Sequence, residues 1–221
     1  MSTAAEIARS QRQTCAAVIE LIAGLIEAPA SESTIEQLCS AQGELLFDAI
    51  AEEFDCAAEI DSLSQALSTG PAPALALDIA VAWTRLFDSV MGMPAVPLYE
   101  SAYAGTSTNT DTAPATRLFG HAVDEMNELL VRFDVSVDGS SEPADHVSVE
   151  LALYAVLLRR GDADGIALMR ERLGRWVPAL VDLCRSNDPG GFHGAIASLL
   201  GVLLKHAPAL HPHEEGNHHA A

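Results

Sequence analysis

Apolar residues recur every three or four positions along most of this chain, the spacing that lays them on one face of a helix. Ile7, Val18, Leu21, Ile22, Leu25 and Ile26 predict a first helix over 4–27, ended by Pro29. Ser33-Thr34-Ile35-Glu36 has the form of a capping box, and Ile35, Leu38, Leu45, Leu46, Ala49, Ile50 and Phe54 predict one helix running from there to Phe54. A shorter helix over 57–67 is stopped by Ser68-Thr69-Gly70-Pro71, and the pattern resumes over 74–90. Leu118, Val123, Met126, Leu129, Leu130 and Phe133 mark the next helix, and Val149, Leu151, Leu153, Ala155, Val156 and Leu157 one that closes at Arg159-Arg160-Gly161. Residues 164–173 read as helical, Trp176-Val177-Pro178 starts another helix with proline in its first turn, and 192–205 forms the last. Strand-type alternation is absent. The pattern therefore predicts a single all-α helical-bundle domain of about eight to ten helices.

The interruptions carry more information than the helices. Trp83-Thr84-Arg85-Leu86-Phe87 leads into a proline-broken stretch, 92–103, that is rich in apolar and aromatic side chains. Loops are normally polar, so this one reads either as folded back on the core or as the wall of a groove. Residues 105–114 are Thr, Ser and Asn without periodicity, a candidate hinge between two helical halves that would permit domain swapping. Glu142-Pro143-Ala144-Asp145-His146 then crowds charge and a titratable ring at the start of an apolar helix. Free N–H groups and a partial positive charge make a carboxylate favourable there, so Asp145 reads either as a helix cap or as a recognition residue. Residues 1–206 form the helical domain on this reading, and 207–221 a flexible His-rich tail.

Charge narrows the function classes. The formal net charge is −19, and no Lys or Arg lies between Arg12 and Arg85, while twelve carboxylates do. Such a field repels nucleic acid and anionic lipid and favours basic partners. Four cysteines without C-x-x-C spacing read as reduced, and with neither a signal peptide nor a spanning segment the expectation is a soluble cytoplasmic protein. No G-x-S-x-G elbow, H-E-x-x-H pair, phosphate loop or dinucleotide fingerprint occurs, so the chain reads as a non-enzyme with no cofactor or metal of its own. The competing reading is a metal-dependent hydrolase or metal-handling protein using Asp145, His146 and Glu150.

Three segments together resemble the TorD/DmsD/NarJ family: Trp83-Thr84-Arg85-Leu86-Phe87, Tyr99-Glu100-Ser101-Ala102-Tyr103, and Glu142-Pro143-Ala144-Asp145-His146 followed by Val149-Glu150-Leu151. The resemblance extends from about Trp83 to Leu204 and includes Arg175-Trp176-Val177-Pro178. It implies an all-helical cytoplasmic chaperone, and the hinge-like 105–114 segment leaves it a monomer or a domain-swapped dimer. Its partner would be a molybdopterin-containing oxidoreductase, whose N-terminal twin-arginine leader it binds while assisting cofactor insertion and delaying export. Carried over position by position, the resemblance implies peptide contacts at Trp83, Leu86, Phe87, Tyr99, Ser101, Tyr103, Pro143, Asp145 and His146. Core packing remains an open alternative for Trp83, Leu86 and Phe87. A leader that joins paired arginines to an apolar stretch needs acidic residues beside an apolar groove, and this chain has both.

Overall fold

The computed structural model describes residues 4–88, 94–103, 120–136 and 142–205. The expected hinge at 105–114 and the His-rich tail at 207–221 lie outside them. The all-α expectation holds: nine α-helices and one 3-10 turn account for the regular structure of the described residues.

Helix α1 (Ala4–Glu27) packs along α7 (Val147–Arg160), which is buried on almost every side. Its sequence accounts for that, since a helix apolar all round can only sit inside a bundle. Around it, α8 (Ala163–Asn187) runs against α7 and α9 (Phe192–Lys205), and α9 also receives α1, α4 (Ala57–Leu67) and α5 (Ala72–Phe87). Helices α2 (Glu32–Leu38) and α3 (Ala41–Phe54) form a corner beside α5 and α4. Helix α6 (His121–Arg132) lies beside the 3-10 turn Glu100–Ala102. No helix of the described residues is long and apolar enough to cross a membrane, and all four cysteines are free.

Two boundaries differ from the sequence pattern. The expected helix from Ser33 to Phe54 is two helices, because Ser40 turns its hydroxyl into a cap. Its oxygen accepts from the Gly43 N–H at 3.2 Å, while the hydroxyl donates to the Gln37 carbonyl at 2.7 Å. A short side chain that satisfies backbone groups locally competes with helix continuation. The first of these helices starts earlier than the capping box suggests, since Ser31 accepts from the Thr34 N–H. The corner also requires glycine: a Cβ on Gly43 would lie 2.1 Å from the Leu38 carbonyl oxygen, a backbone atom that cannot swing aside. Gly43→Ala is expected to cost about 1 to 3 kcal/mol in urea unfolding, and a neutral result would mean the corner can open.

The second difference is Pro178, which does not start a helix but sits inside α8. Its missing N–H would have bonded the carbonyl of Gly174. Both residues are exposed, so the freed carbonyl faces solvent and the helix runs through.

Candidate functional site

The aromatic loop, residues 94–103, does not wander from the bundle. Its Val96 N–H donates to the Leu86 carbonyl at 2.8 Å, fixing its start to the end of α5. Further on, Tyr99 and His146 form an antiparallel bridge, flanked by Val147 N–H to Leu98 O at 2.8 Å and Glu100 N–H to Asp145 O at 2.9 Å. The loop and the Glu142–His146 motif are thus zipped together by backbone bonds between residues 45 to 49 apart in the chain.

Side chains complete the junction. The Tyr99 hydroxyl donates to Glu142 at 2.9 Å, and its ring stands edge-on to His146 with centroids 5.1 Å apart. Burial, then the bond to Glu142, pushes the Tyr99 hydroxyl up to about 12. The Ser101 N–H donates to the Asp145 carboxylate at 3.2 Å. Tyr103 donates its hydroxyl to the Pro97 carbonyl at 2.8 Å and lays its ring 5.4 Å from that of Trp176. Pro143 is half-buried, and its carbonyl accepts the His146 N–H in the turn before α7.

The cap of α7 is His146, not Asp145. Its Nδ1 accepts from the Ser148 N–H at 3.2 Å and lies 2.8 Å from the Ser148 hydroxyl, so Nδ1 is the acceptor and the proton sits on Nε2. Burial lowers the ring's pKa, against the opposing charges of Glu142 and Asp145. Burial therefore disfavours the imidazolium form of His146 in the free protein. His193 is buried too, bonded through Nε2 to the Ile79 carbonyl, and burial lowers its pKa as well. Both rings oppose protonation, so the stability they contribute is full above the unfolded value near 6.5 and lost as pH falls below it. Asparagine at 146 keeps a cap acceptor but loses the ring contact. His146→Asn should therefore trail the wild type by about 0.5 to 1.5 kcal/mol at pH 8, and the gap should narrow toward pH 5. A gap that widens on acidification would contradict a neutral His146.

Trp83, Leu86 and Phe87 form a separate cluster. Leu86 has no exposed surface, Phe87 packs edge-on to both Trp83 and His193, and Trp83 donates its indole N–H to the Ile26 carbonyl at 2.9 Å. These three brace the root of the loop from the core side. Asp145 and His146 are likewise buried, which leaves Tyr99, Ser101, Tyr103 and Pro143 as the half-exposed members of the expected set.

One constellation goes unread in the sequence. Arg172 of α8, with its side chain 3% exposed, faces three carboxyls from three elements. Nη2 reaches Glu100 of the 3-10 turn and the Ala122 carbonyl, Nη1 reaches Glu125 of α6 at 3.0 Å, and Nε lies 3.5 Å from Glu150 of α7. Trp176, one turn along α8, donates its N–H to Glu150 at 3.2 Å. One guanidinium cannot neutralise three carboxylates. Burial and then the Glu100 charge raise Glu150 well above its ordinary range, and burial raises Glu100 as well, against the pull of Arg172. The signal was a lone acid in the all-round apolar run of α7, which demands a buried partner. With Glu150 held by Arg172 and Trp176, and Nδ1 of His146 by Ser148, the metal reading finds no free ligand set. Among the described residues no group of three or more His, Cys, Asp or Glu is arranged to hold a metal ion.

Residues 48–182 match the family model of the nitrate reductase delta subunit. The chain belongs to that family. The matched span runs from α3 into α8 and contains the loop, the Glu142–His146 motif and Arg172, so the resemblance read from three motifs is borne out. Relatives named chaperone protein TorD match most of the chain. That of Shewanella piezotolerans is 27% identical over 197 residues, covering 88% of this chain and 91% of its own. That of Escherichia coli O139:H28 is 28% identical over 204 residues, covering 87% and 94%. A solved structure from Archaeoglobus fulgidus, described as a redox enzyme maturation protein, shares the fold with a TM-score of 0.50 at 17% identity, over 86% of this chain and 91% of that one.

Proposed function

We propose that this member of the nitrate reductase delta subunit family is a cytoplasmic chaperone for a redox enzyme. It binds the twin-arginine leader of a molybdopterin-containing oxidoreductase, assists cofactor insertion and delays export until the client is mature. The names of the TorD relatives support the chaperone part.

The observation that carries the leader part is the zipped loop. Half-exposed Tyr99, Ser101, Tyr103 and Pro143 lie on one junction with the carboxylates of Glu142, Glu100 and Glu125 around it. An aromatic surface beside acidic groups suits a peptide that joins guanidinium groups to an apolar stretch. In this reading the four half-exposed residues touch the leader. Asp145 and His146 hold the loop from beneath, and Trp83, Leu86 and Phe87 support its root. None of these roles includes a chemical step, so the protein acts by binding and not as an enzyme.

Affinity purification from the source cells under mild lysis, with mass spectrometry of what is retained, tests the assignment. A molybdopterin oxidoreductase precursor still carrying its leader is the expected companion. Retention of only proteins without a paired-arginine leader would overturn it.

A further inference from the structure

The 3-10 turn at Glu100–Ala102 is three residues long and buries none of them, so it has little of its own to hold it in place. Beyond the bonds within the turn itself, its N–H groups reach Asp145, through Glu100 and Ser101. What fixes it from the other side is α8. There Arg172 takes the Glu100 carboxylate, and Trp176, four residues on and so on the same helix face, lies against the Tyr103 ring at an interplanar angle of 37°. One face of one helix grips both ends of the segment that carries Tyr99, Ser101 and Tyr103. The same guanidinium also bonds α6 through Glu125 and the Ala122 carbonyl and meets α7 at Glu150, so three elements converge on it.

A buried ion cluster is a poor way to gain stability, because desolvation offsets most of the Coulomb attraction. What it does supply is direction, since a guanidinium offers donors in a rigid planar fork that a lysine cannot reproduce. We propose that Arg172 is the positioning residue of the leader surface: by holding Glu100 it presents Tyr99, Ser101 and Tyr103 in their binding arrangement before a leader arrives. This inference rests on the reading of the loop as the leader site. A surface ordered in advance binds without meeting the entropy of ordering at that moment, whereas a loosened one orders as it binds. Coupled ordering has a signature that simple destabilisation lacks, a more negative heat-capacity change on binding.

Glu100→Ala in the full chain tests this, because it removes the tie while leaving Arg172 its contacts with Glu125 and Glu150. Hydrogen exchange on the free protein is read first. The amides of residues 99–103, including the Ser101 N–H held by Asp145, should exchange about tenfold faster or more, with α1 unchanged. Calorimetry with a synthetic twin-arginine leader should then show a Kd raised about fivefold or more and a more negative heat-capacity change. Arg172→Lys should reproduce both. Unchanged exchange in both variants would overturn the proposal. So would faster exchange with unchanged Kd and heat capacity. If the wild type binds no twin-arginine leader, the leader reading fails, and exchange on the free protein still decides whether Arg172 positions the turn.

Discussion

Arg172→Ala is expected to destabilise the fold by about 3 to 5 kcal/mol at pH 8, since it leaves buried carboxyls without their counter-charge. Glu100 and Glu150 face that guanidinium with little or no exposure, so water cannot take its place. The loss should shrink as pH falls. Burial already raises both carboxyls, and without Arg172 they rise further. A group whose folded pKa is raised favours the fold below its unfolded value and opposes it as pH climbs through the folded one. The deficit should therefore be smallest near pH 5 and grow toward pH 8. Urea unfolding at the two pH values measures this, and a deficit below about 1 kcal/mol at pH 8 would mean that the cluster is effectively solvated.

Leu86→Ala should be similarly costly for a different reason. Leu86 is fully buried where α5 meets the loop, so truncation removes packed methyls and leaves a cavity, at about 2 to 5 kcal/mol. The bond from Val96 to the Leu86 carbonyl is a backbone bond and survives the change. Leader affinity of the protein that remains folded should accordingly stay within about twofold of wild type. A Kd raised tenfold or more in fully folded Leu86→Ala would return this residue to the contact set that the sequence suggests.

The contrast between these two residues shows what was legible in the sequence. Helices α1, α4, α7 and α9 were readable at or near their bounds because apolar spacing reports which face is buried, whatever it is buried against. The same property made Leu86 ambiguous, since apolar character marks burial in a core and in a groove alike. The break at Ser40 and the passage through Pro178 escaped because each turns on where one polar group points. The loop and the Glu142–His146 motif stood out as departures from pattern, an aromatic loop and a crowded helix start. Their pairing did not, because backbone bonds such as Glu100 to Asp145 leave no side-chain trace. The tie between Glu100 and Arg172 spans 72 residues with no shared periodicity, and only the solitary Glu150 hinted that a buried cation was needed.

Recognition of a paired-arginine leader beside an aromatic loop is the central claim, and titration calorimetry addresses it most directly. The titrants are a synthetic leader with its two arginines and the same peptide with both changed to glutamine, each at two salt concentrations. The twin-arginine peptide should bind, and loss of the charged hydrogen bonds should weaken binding by about tenfold or more. Affinity of the arginine form should fall with salt, because exposed charges are screened over about 8 Å at physiological ionic strength, while the residual apolar binding should not. Equal affinity for the two peptides, or no binding of any molybdoenzyme leader, would contradict the account.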